Sequence, residues 1–330
     1  MLTEILKTQP NIKLDFSKLV GMEKVDQTLQ AVLEESPGAL RDIGEYLMKA
    51  GGKRVRPVLT IYSGLVFGPF SEELVKTAAA AELIHMASLI HDDIIDDAAS
   101  RHHLPSVKTV WGNHVAVLAG DYLFAKAFGL LAEIQNPRAL KLMVETIEKM
   151  CAGEVVQAQN RFNSELSLAE YYNCIGKKTA SFLEGVCQSG AVIAGATAEQ
   201  VQTMGEYGLS LGLAFQIKDD LLDFYGQSEI MGKPKFEDLR QGNLTLPVLL
   251  LLQTADYGTW TRNKIKQGYL EERDLTEVAE LLTQTGITRE VSTIASSYLD
   301  QAKNCLQRLP RTEGAILLEH LANQLQERVY

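Results

Sequence analysis

Proline is scarce in this chain of 330 residues, and the middle of the sequence has none. Nine prolines are present, and none lies between Pro137 and Pro234. Because proline breaks helix interiors, such a gap favours long uninterrupted helices. Alternating apolar and polar residues are lacking as well, and so are Asn-Gly or Asp-Gly turns, which argues against β-hairpins. We therefore predict an all-α fold of about a dozen helices.

Cysteine is equally scarce, and its spacing carries no metal or redox signature. The four cysteines include no CxxC pair, so a zinc site or a disulfide framework is disfavoured. We expect reduced, buried thiols at Cys151, Cys174, Cys187 and Cys305.

Long apolar runs and a signal-peptide pattern are missing too. The most apolar stretch, Leu246–Leu252, is far shorter than the roughly 18 residues that cross a bilayer. We therefore expect a cytoplasmic protein with no transmembrane segment. The formal net charge of −10 argues against nucleic acid as a partner, because an acidic surface repels phosphate backbones.

Caps and breakers place the helices along the chain. Ser-Pro-Gly, Gly-Gly and Asn-Pro sequences end helices, and Ser71 is a predicted N-cap. The first two predicted helices cover residues 16–35 and 39–50. A third begins within Gly51–Pro57 and ends near residue 67, and a fourth runs from Ser71 into the segment 89–97. The next four cover 113–133, 137–160, 167–194 and 199–224. A polar loop is expected at 232–243, followed by amphipathic helices.

Two segments repeat one acidic pattern, Asp-Asp-x-x-Asp. It occurs in Leu89–Asp97 and again in Ile217–Phe224, both inside apolar runs with helical spacing. Residues four apart share a helix face, and the neighbouring residue lies about 100° round. The first triad is Asp92, Asp93 and Asp96, and the second triad is Asp219, Asp220 and Asp223.

Carboxylates in these positions favour a bound cation. Like charges at this spacing destabilise a helix, and carboxylates near apolar surface are costly unless they are neutralised. Mg²⁺ takes carboxylate oxygens and keeps coordination places for water and substrate phosphates. A solvated acidic helix face would explain one triad, but two identical triads in apolar surroundings indicate a Mg²⁺ site.

A basic segment, Gly51–Pro57, precedes the first triad. It carries Lys53, Arg54 and Arg56 at a predicted helix start, where backbone N–H groups also favour anions. Basic residues that merely solvate a helix start are the alternative. No Ser-His-Asp order, reactive-cysteine motif or nucleotide-binding glycine loop is evident. The remaining chemistry is metal-assisted departure of diphosphate from an ester.

The residues behind Asp92 on its helix face are mostly small. Going back along the helix reaches Ser88, then Ile84 or His85, then Ala81. Such a face could form the wall of a groove for a hydrocarbon, and close helix packing through alanine is an equally consistent explanation.

These motifs resemble those of the trans-isoprenyl (polyprenyl) diphosphate synthases over roughly residues 40–330. The resemblance rests on Gly51–Pro57, Asp92–Asp96, Gly120-Asp121, Lys178-Thr179, Phe215-Gln216, Asp219–Asp223, Gly232–Pro234 and Gly242–Pro247. The chain is most similar to the catalytic large subunit (component II) of bacterial hexaprenyl and heptaprenyl diphosphate synthases. The resemblance implies a single synthase domain over residues 1–330 and an all-α isoprenoid-synthase bundle around a deep central cavity.

The resemblance also implies the reaction and the residues that perform it. Mg²⁺ would be held by the six aspartates, as three ions once substrate is bound, with the two triads facing each other at the cavity mouth. The allylic C–O bond ionises, the double bond of isopentenyl diphosphate attacks the cation, and a proton is lost. By role, the implied residues are Lys53, Arg56 and His85 for isopentenyl diphosphate, Arg101, Lys178 and Lys233 for the allylic diphosphate, and Thr179 and Gln216 near the cation.

One departure from the family pattern concerns the sequence Arg101-His102-His103. The family has two arginines followed by glycine, and the second arginine, here His102, normally contacts isopentenyl diphosphate. Histidine is only partly charged near neutral pH. We therefore expect weaker or more pH-dependent binding of this substrate, and a Michaelis constant that is flat from about pH 6 to 8 would contradict that expectation.

Product length is expected to follow from the residues before the first triad. In the family, bulky side chains four and five positions earlier block the cavity, whereas this chain has Ser88 and Ala87 there, with Ile84 further back. We expect a long product of about six to nine isoprene units (C30–C45), built on farnesyl diphosphate for a quinone side chain. A shorter-chain (geranylgeranyl or farnesyl) synthase is the alternative.

The resemblance further implies the partners of the chain. They are an allylic diphosphate, isopentenyl diphosphate, and either a second copy in a homodimer or a small regulatory subunit without which the chain is inactive. A peripheral membrane contact for product release is also implied. A terpene cyclase of the same fold and a non-catalytic regulatory subunit are disfavoured, because both triads and the basic segment are intact.

Overall fold

The computed structural model describes residues 14–101, 104–226 and 235–327, and these residues are mostly α-helical. The helices of the first half are α1 (Met22–Glu34), α2 (Ala39–Ala50), α3 (Val55–Leu65), α4 (Glu72–Ile95), α5 (Val107–Trp111), α6 (Asn113–Glu133) and α7 (Pro137–Gln159). Those of the second half are α8 (Leu168–Ile175), α9 (Ser181–Ile193), α10 (Ala198–Tyr225), α11 (Glu237–Arg240), α12 (Leu246–Leu252), α13 (Gly258–Ile265), α14 (Glu272–Gln284), α15 (Ile287–Gln307) and α16 (Glu313–Glu327). The prediction of an all-α fold is confirmed.

Extended backbone is confined, within the described ranges, to one minimal antiparallel pair. Strand β1 (Ser100–Arg101) pairs with β2 (Leu104–Pro105), with Ser100 opposite Pro105 and Arg101 opposite Leu104. The pair comes shortly after the first triad, and its pairing of Arg101 with Leu104 fixes the backbone position of Arg101 after the end of α4.

The helix ends follow local capping rules. The Ser71 hydroxyl accepts a hydrogen bond from Leu74 N at 3.3 Å and begins α4. Ser167 and Glu170 form a reciprocal capping box at the start of α8. Caps of this kind contribute about 1 kcal/mol each. Gly51 ends α2 with a φ of 73°, a backbone angle that favours glycine.

The chain divides into two compact units. Unit 1 consists of Met1–Glu145, Leu183–Gly208 and Lys303–Gln324, and unit 2 consists of Thr146–Phe182, Leu209–Ala302 and Leu325–Tyr330.

Unit 1 is held together by close helix crossings at glycine. A Cβ built on Gly120 of α6 would lie 2.2 Å from His91 Nε2 of α4. Likewise, a Cβ on Gly190 of α9 would lie 2.1 Å from the Thr60 carbonyl oxygen of α3. Real Cβ atoms do not approach so closely, and the Thr60 carbonyl oxygen is backbone, so the crossing of α9 with α3 depends on glycine. At Gly120 the missing side chain leaves room for the His91 ring, one residue before the first triad.

Unit 2 has its own apolar core. Leu221 and Phe224 on α10 pack with Leu249 of α12 and Leu275 of α14, and each is at most 2% exposed. The ring of Phe224 meets that of Phe236 edge-on, with centroids 5.8 Å apart, a favoured aromatic geometry. This core supports the end of α10, which carries the second triad.

Three predicted boundaries were wrong, each for a local reason. The first helix does not begin at Phe16: a 3₁₀ turn (Phe16–Lys18) is followed by Gly21, whose φ of 85° separates it from α1. The helix predicted over 167–194 is interrupted, because Gly176–Ala180 form a π-helical turn between α8 and α9. The predicted polar loop contains the one-turn helix α11 within its described part.

The expectation of four buried thiols was also wrong at one position. Cys174, Cys187 and Cys305 are buried, and burial raises the pKa of Cys187 to about 12. Cys151 is exposed. It lies on α7, and a sequence pattern does not settle which face of that helix packs inward.

One helix of the described part is long and apolar enough to cross a membrane, judged by length and composition alone. It is α6, and 39% of its most apolar window is buried inside the fold. Asp121 and Lys126 interrupt its apolar sequence. A core helix of a globular protein passes the same test.

Candidate active site

The first triad lies at the carboxyl end of α4, in unit 1. Asp92 and Asp93 are in the last turn, and Asp96 follows the helix directly, with its backbone N–H donating to Asp92 O at 2.9 Å. This bond continues the helical turn and keeps Asp92 and Asp96 on one side. The helix dipole disfavours negative charge at this end, so the triad gains stability from any cation bound there.

Asp93 is the buried member of the first triad. Asp93 is 3% exposed, and its Oδ1 accepts a hydrogen bond from Arg101 Nε at 2.8 Å and forms an ion pair with Nη2 at 2.8 Å. Burial raises the pKa of Asp93, and the Arg101 guanidinium opposes that rise. Arg101, which the resemblance assigns to the allylic diphosphate, is thus already paired with a carboxylate of the triad.

In the basic segment Gly51–Pro57, Arg54 is paired with acidic side chains inside the fold, whereas Lys53 and Arg56 are more accessible. Arg54 turns inward with a φ of 51°, donating from Nη1 to Glu82 Oε1 at 2.9 Å and from Nε to Asp26 Oδ1 at 3.2 Å. Lys53 is exposed and Arg56 is half-buried. The expected cluster of three anion-binding cations is therefore reduced to two, because Arg54 anchors the segment.

The other predicted residues of unit 1 lie on α4. His85 and Ser88 are half-buried, and the Ser88 hydroxyl donates to the His85 carbonyl oxygen at 2.9 Å. Ile84 and Ala87 are both fully buried. Ser88 is thus the more accessible of the two small residues before the first triad.

His102 and Lys233, which the resemblance assigns to substrate binding, lie outside the described residues.

The second triad lies near the carboxyl end of α10, in unit 2. Asp219 is half-buried, whereas Asp220 and Asp223 are each 1% exposed. Asp223 accepts a backbone hydrogen bond from Asp238 N at 3.3 Å through Oδ2, while its own carbonyl accepts from Phe236 N at 2.9 Å. Asp223 thereby fixes the start of α11. As in the first triad, the acidic residues lie near the carboxyl end of a helix, where the helix dipole favours a bound cation.

Asp220 is the centre of a hydrogen-bonded group in unit 2. Oδ2 accepts from the Tyr171 hydroxyl at 2.5 Å and from Leu246 N at 3.3 Å, and Oδ1 accepts from Gln216 Nε2 at 3.0 Å. Burial raises the pKa of Asp220 to about 7, even though the Tyr171 hydrogen bond lowers it. The carboxylate is therefore held by neutral donors rather than by a cation.

The predicted pair Thr179 and Gln216 is brought together by the same group. The Thr179 hydroxyl donates to Gln216 Oε1 at 2.8 Å. Thr179 and Lys178 lie in the π-helical turn, a feature that often marks functional sites. Lys178 Nζ pairs with Glu154 Oε2 at 2.5 Å, with both side chains largely buried.

These residues line one pocket of unit 2, with about 670 Å³ of empty space including its open mouth. Its lining includes Lys178, Thr179, Gln216 and Asp220, which the sequence predicted. It also includes Tyr171, Asp238, Asn243 and Thr245, to which no role was given, although the last two lie in the Gly242–Pro247 motif. Tyr171 and Glu154 carried no sequence signal, because their partners are distant along the chain.

The donor chemistry of both triads fits a hard divalent cation. Within the described ranges, no three His, Cys, Asp or Glu side chains form a ready-made ligand cluster. Mg²⁺ does not require one, because it binds through one or two carboxylates and retains water or substrate phosphates. The half-buried carboxylates Asp92, Asp96 and Asp219 are suited to that role.

Comparison with known proteins agrees with this chemistry. The sequence profile of the family described as polyprenyl synthetase matches residues 37–282. Heptaprenyl diphosphate synthase component 2 of Geobacillus stearothermophilus is 38% identical over 313 residues, covering 93% of this chain and 95% of that protein.

Solved structures show the same fold. A polyprenyl synthase from Caulobacter crescentus, complexed with calcium and isoprenyl diphosphate, has a TM-score of 0.89 and 31% identity, covering 100% of this chain and 98% of the other. Heptaprenyl diphosphate synthase from Staphylococcus aureus has a TM-score of 0.88 and 32% identity, covering 96% and 99%. The chain belongs to the polyprenyl synthetase family, and it is a prenyltransferase of the trans-prenyl diphosphate synthase type.

Proposed function

We propose that the chain is one synthase domain that makes a long-chain all-trans polyprenyl diphosphate. It would add isopentenyl diphosphate repeatedly to farnesyl diphosphate and yield a product of about six to nine isoprene units (C30–C45). The observation that carries this proposal is the pair of small residues, Ala87 and Ser88, on α4 before the first triad. The names of the heptaprenyl relatives support the same length. A quinone side chain is the proposed destination.

The two triads and Lys178 would bind the allylic diphosphate. Bound Mg²⁺, proposed as three ions, would supply positive charge to the departing diphosphate. Asp92, Asp96 and Asp219 are the proposed direct ligands, and Asp93, Asp220 and Asp223 would each support their own triad from buried positions. Before substrate binds, the ion pair with Glu154 would keep Lys178 oriented. Lys178 would then release Glu154 and bind the diphosphate. Arg101 and Lys233 are the further proposed contacts.

The allylic cation that forms when the C–O bond ionises would be stabilised by oriented oxygens. Gln216 presents Nε2 to the Asp220 carboxylate, so its Oε1 accepts the Thr179 hydroxyl hydrogen. Thr179 is therefore left with oxygen lone pairs for another partner. Lone pairs fixed in place stabilise developing positive charge without reorganisation.

Lys53, Arg56 and His85 would bind isopentenyl diphosphate, with His102 in support. Arg54 supports this assignment indirectly, because its contacts with Glu82 and Asp26 hold the segment that carries Lys53 and Arg56. The proton lost after condensation would pass to the released diphosphate.

A partner chain would complete the protein. Val110, Val117 and Leu118 of unit 1 are 49%, 42% and 59% exposed, respectively, and these exposed apolar side chains of α5 and α6 are the proposed interaction surface. The two proposed arrangements are a homodimer and a heteromer with a small regulatory subunit, and the component 2 name of the relative supports the latter. We propose a cytoplasmic protein, in peripheral contact with a membrane when it releases its product.

A single substitution tests the length proposal. Ser88→Phe should shorten the product by several isoprene units, because a half-buried site can direct the ring into the groove, whereas Phe at the fully buried Ala87 would overpack the core. Leu89→Phe is the matched control, since Leu89 is also half-buried but lies about 100° round the helix. Products of the purified variants are resolved by chain length. An unchanged product from Ser88→Phe contradicts the groove.

Product formation by the chain alone distinguishes a self-sufficient enzyme from one that needs a small subunit. If the folded chain binds farnesyl diphosphate with Mg²⁺ but makes no product alone, the heteromer is the correct arrangement. Product formation by the chain alone establishes self-sufficiency.

A further inference from the structure

Two polar atoms of the unit 2 pocket are buried without a hydrogen-bond partner. They are Asn243 Oδ1 and Thr245 Oγ1, and each residue is only 8% exposed. Both residues line the pocket that contains Asp220. Buried polar atoms in native proteins are nearly always paired, and an unpaired one at a functional site indicates a missing ligand or water.

Thr245 stands where a threonine normally caps a helix, yet it caps nothing. It immediately precedes α12 with extended backbone angles, and its side chain makes no capping hydrogen bond. Asp220 Oδ2 instead accepts from Leu246 N, at 3.3 Å. A capping threonine would bind the N–H of the second or third helical residue, but the second is Pro247, which has no N–H. The Thr245 hydroxyl therefore remains available to the pocket.

The orientation of Asn243 is fixed by a chain of amides. Gln241 Nε2 donates to the Glu237 carboxylate at 3.0 Å, so Gln241 Oε1 points the other way and accepts from Asn243 Nδ2 at 3.4 Å. Because a carboxylate only accepts, this chain determines which side of each amide faces which neighbour. Asn243 is left with a carbonyl oxygen, an acceptor, as its unpaired atom.

The pocket therefore presents mostly oxygen acceptors. Asn243 Oδ1 joins the lone pairs of Thr179 and the carboxylates of Asp220 and Asp238. Lys178 is the one cationic side chain among the described lining residues, and it pairs with Glu154. A ligand for this wall must supply positive charge or hydrogen-bond donors, and water bound to a metal ion supplies both.

We propose that Asn243 and Thr245 are binding residues of this site, and that they accept hydrogen bonds from the water shell of a divalent cation held at the second triad. This inference rests on the proposed function. It assigns Asn243 Oδ1 to the cation rather than to the diphosphate oxygens, which are themselves acceptors. The Thr245 hydroxyl can donate as well as accept, and it is assigned to the same water shell because it lines the same pocket. Partners of this indirect kind typically change metal affinity about 10- to 100-fold when they are removed.

The test uses Thr245→Val, which removes the hydroxyl at constant shape, and Thr245→Ser, which keeps it. Melting temperature is measured in EDTA, and Mn²⁺ affinity is measured by titration in the presence of inorganic pyrophosphate. Thr245→Val should melt at or above the wild-type temperature in EDTA, because an unsatisfied buried hydroxyl has been removed. Its Mn²⁺ affinity should fall about 10-fold, and Thr245→Ser should restore it.

Two further variants keep the test decisive. Asn243→Leu should also weaken Mn²⁺ binding, and it provides the test if Thr245→Val does not fold. Asn160→Leu is the matched control: Asn160 lines the same pocket, but its Nδ2 donates to Val156 O and its Oδ1 accepts from Asn163 Nδ2, each at 2.9 Å. That variant should melt lower and bind Mn²⁺ like the wild type.

The contradictory outcomes are distinguishable. A lower melting temperature for Thr245→Val with unchanged Mn²⁺ affinity would show a purely structural threonine and overturn this inference alone. Failure of the wild type to bind Mn²⁺ with pyrophosphate would overturn the proposed metal site as well.

Discussion

The two triads have the same sequence pattern but different surroundings. In each, the middle aspartate is buried, with Asp93 3% exposed and Asp220 1% exposed, and in the second triad Asp223 is buried as well. Asp93 is paired with a cation, the Arg101 guanidinium, whereas Asp220 is held by the neutral donors Tyr171, Gln216 and Leu246 N. Burial raises the pKa of both carboxyl groups. At Asp93 the positive charge of Arg101 opposes this rise in pKa, whereas at Asp220 the hydrogen bond from Tyr171 opposes it.

This comparison separates the aspartates that we propose as ligands from the supporting ones. The half-buried members, Asp92, Asp96 and Asp219, are the proposed ligands because they remain partly accessible. The buried members organise the surrounding chain: Asp93 holds Arg101, Asp220 holds Leu246 at the start of α12, and Asp223 holds Asp238 in α11. An identical motif therefore contains residues with different burial and different contacts.

The largest expected effect is loss of catalysis when a half-buried aspartate is replaced. Asp92→Asn or Asp219→Asn should lower kcat by about 100- to 1,000-fold, comparable to the removal of one group that stabilises transition-state charge. Steady-state rates with farnesyl and labelled isopentenyl diphosphate measure it. Asp97→Asn is the control, because Asp97 follows the first triad but its side chain is 97% exposed. If Asp97→Asn were as damaging as Asp92→Asn, the loss of catalysis would not be specific to the half-buried members of the triads, and their proposed ligand role would be wrong.

The next effect is a pH dependence of stability specific to the second triad. The pKa of Asp220 is raised from 3.8 to about 7 in the folded state, so the folded protein retains a proton that the unfolded chain releases. Its contribution is fully favourable below about pH 4 and is lost as pH rises towards 7, by at most about 4 kcal/mol.

Urea unfolding in EDTA from pH 4.5 to 7.5 measures this dependence, in about 0.5-unit steps. Asp220→Asn should remove this part of the slope, so that the wild type loses stability relative to the variant as pH rises. Parallel stability curves for the two proteins would contradict the buried, neutral-donor environment of Asp220.

The smallest effect compares the supports of the two middle aspartates. Arg101→Ala leaves a buried carboxylate without its cation and should cost about 1–3 kcal/mol, towards the low end because Arg101 is 35% exposed. Tyr171→Phe removes one of three hydrogen bonds to Asp220 and should cost about 0.5–1.5 kcal/mol.

Salt distinguishes these two variants. Added salt of about 0.5 M should shrink the difference between Arg101→Ala and wild type, because it screens the partly exposed ion pair, and should leave the Tyr171→Phe difference unchanged. Urea unfolding at low and high salt measures both. Equal salt sensitivity would show that Asp93 and Asp220 are held in the same way.

Much of the fold was predictable because its signals are local. The bounds of α2 and α6 were predicted to the residue, and Ser71 caps α4 as expected. Helical periodicity and caps act over a few residues, so one sequence contains them. The π-helical turn at Gly176–Ala180 was not predictable, because it depends on close packing: a Cβ on Gly153 would lie 2.5 Å from Lys178 N.

The supporting residues of the site could not be predicted for a related reason. Spacing located both triads, but not the burial of Asp220 and Asp223 or the contact with Tyr171, which lies 49 residues away. Glu154 was likewise unassigned and Arg54 was expected to bind an anion, since only the folded chain brings Glu154 to Lys178 and Arg54 to Glu82. A motif indicates which chemistry is available, and packing decides which of its atoms face the substrate.

The most direct test of the central claim is product analysis of the purified protein with Mg²⁺, farnesyl diphosphate and labelled isopentenyl diphosphate. We expect a discrete product of about six to nine isoprene units, formed only when Mg²⁺ is present. A product that stops at four units or fewer, or one that forms equally well in EDTA, would contradict a metal-dependent long-chain synthase.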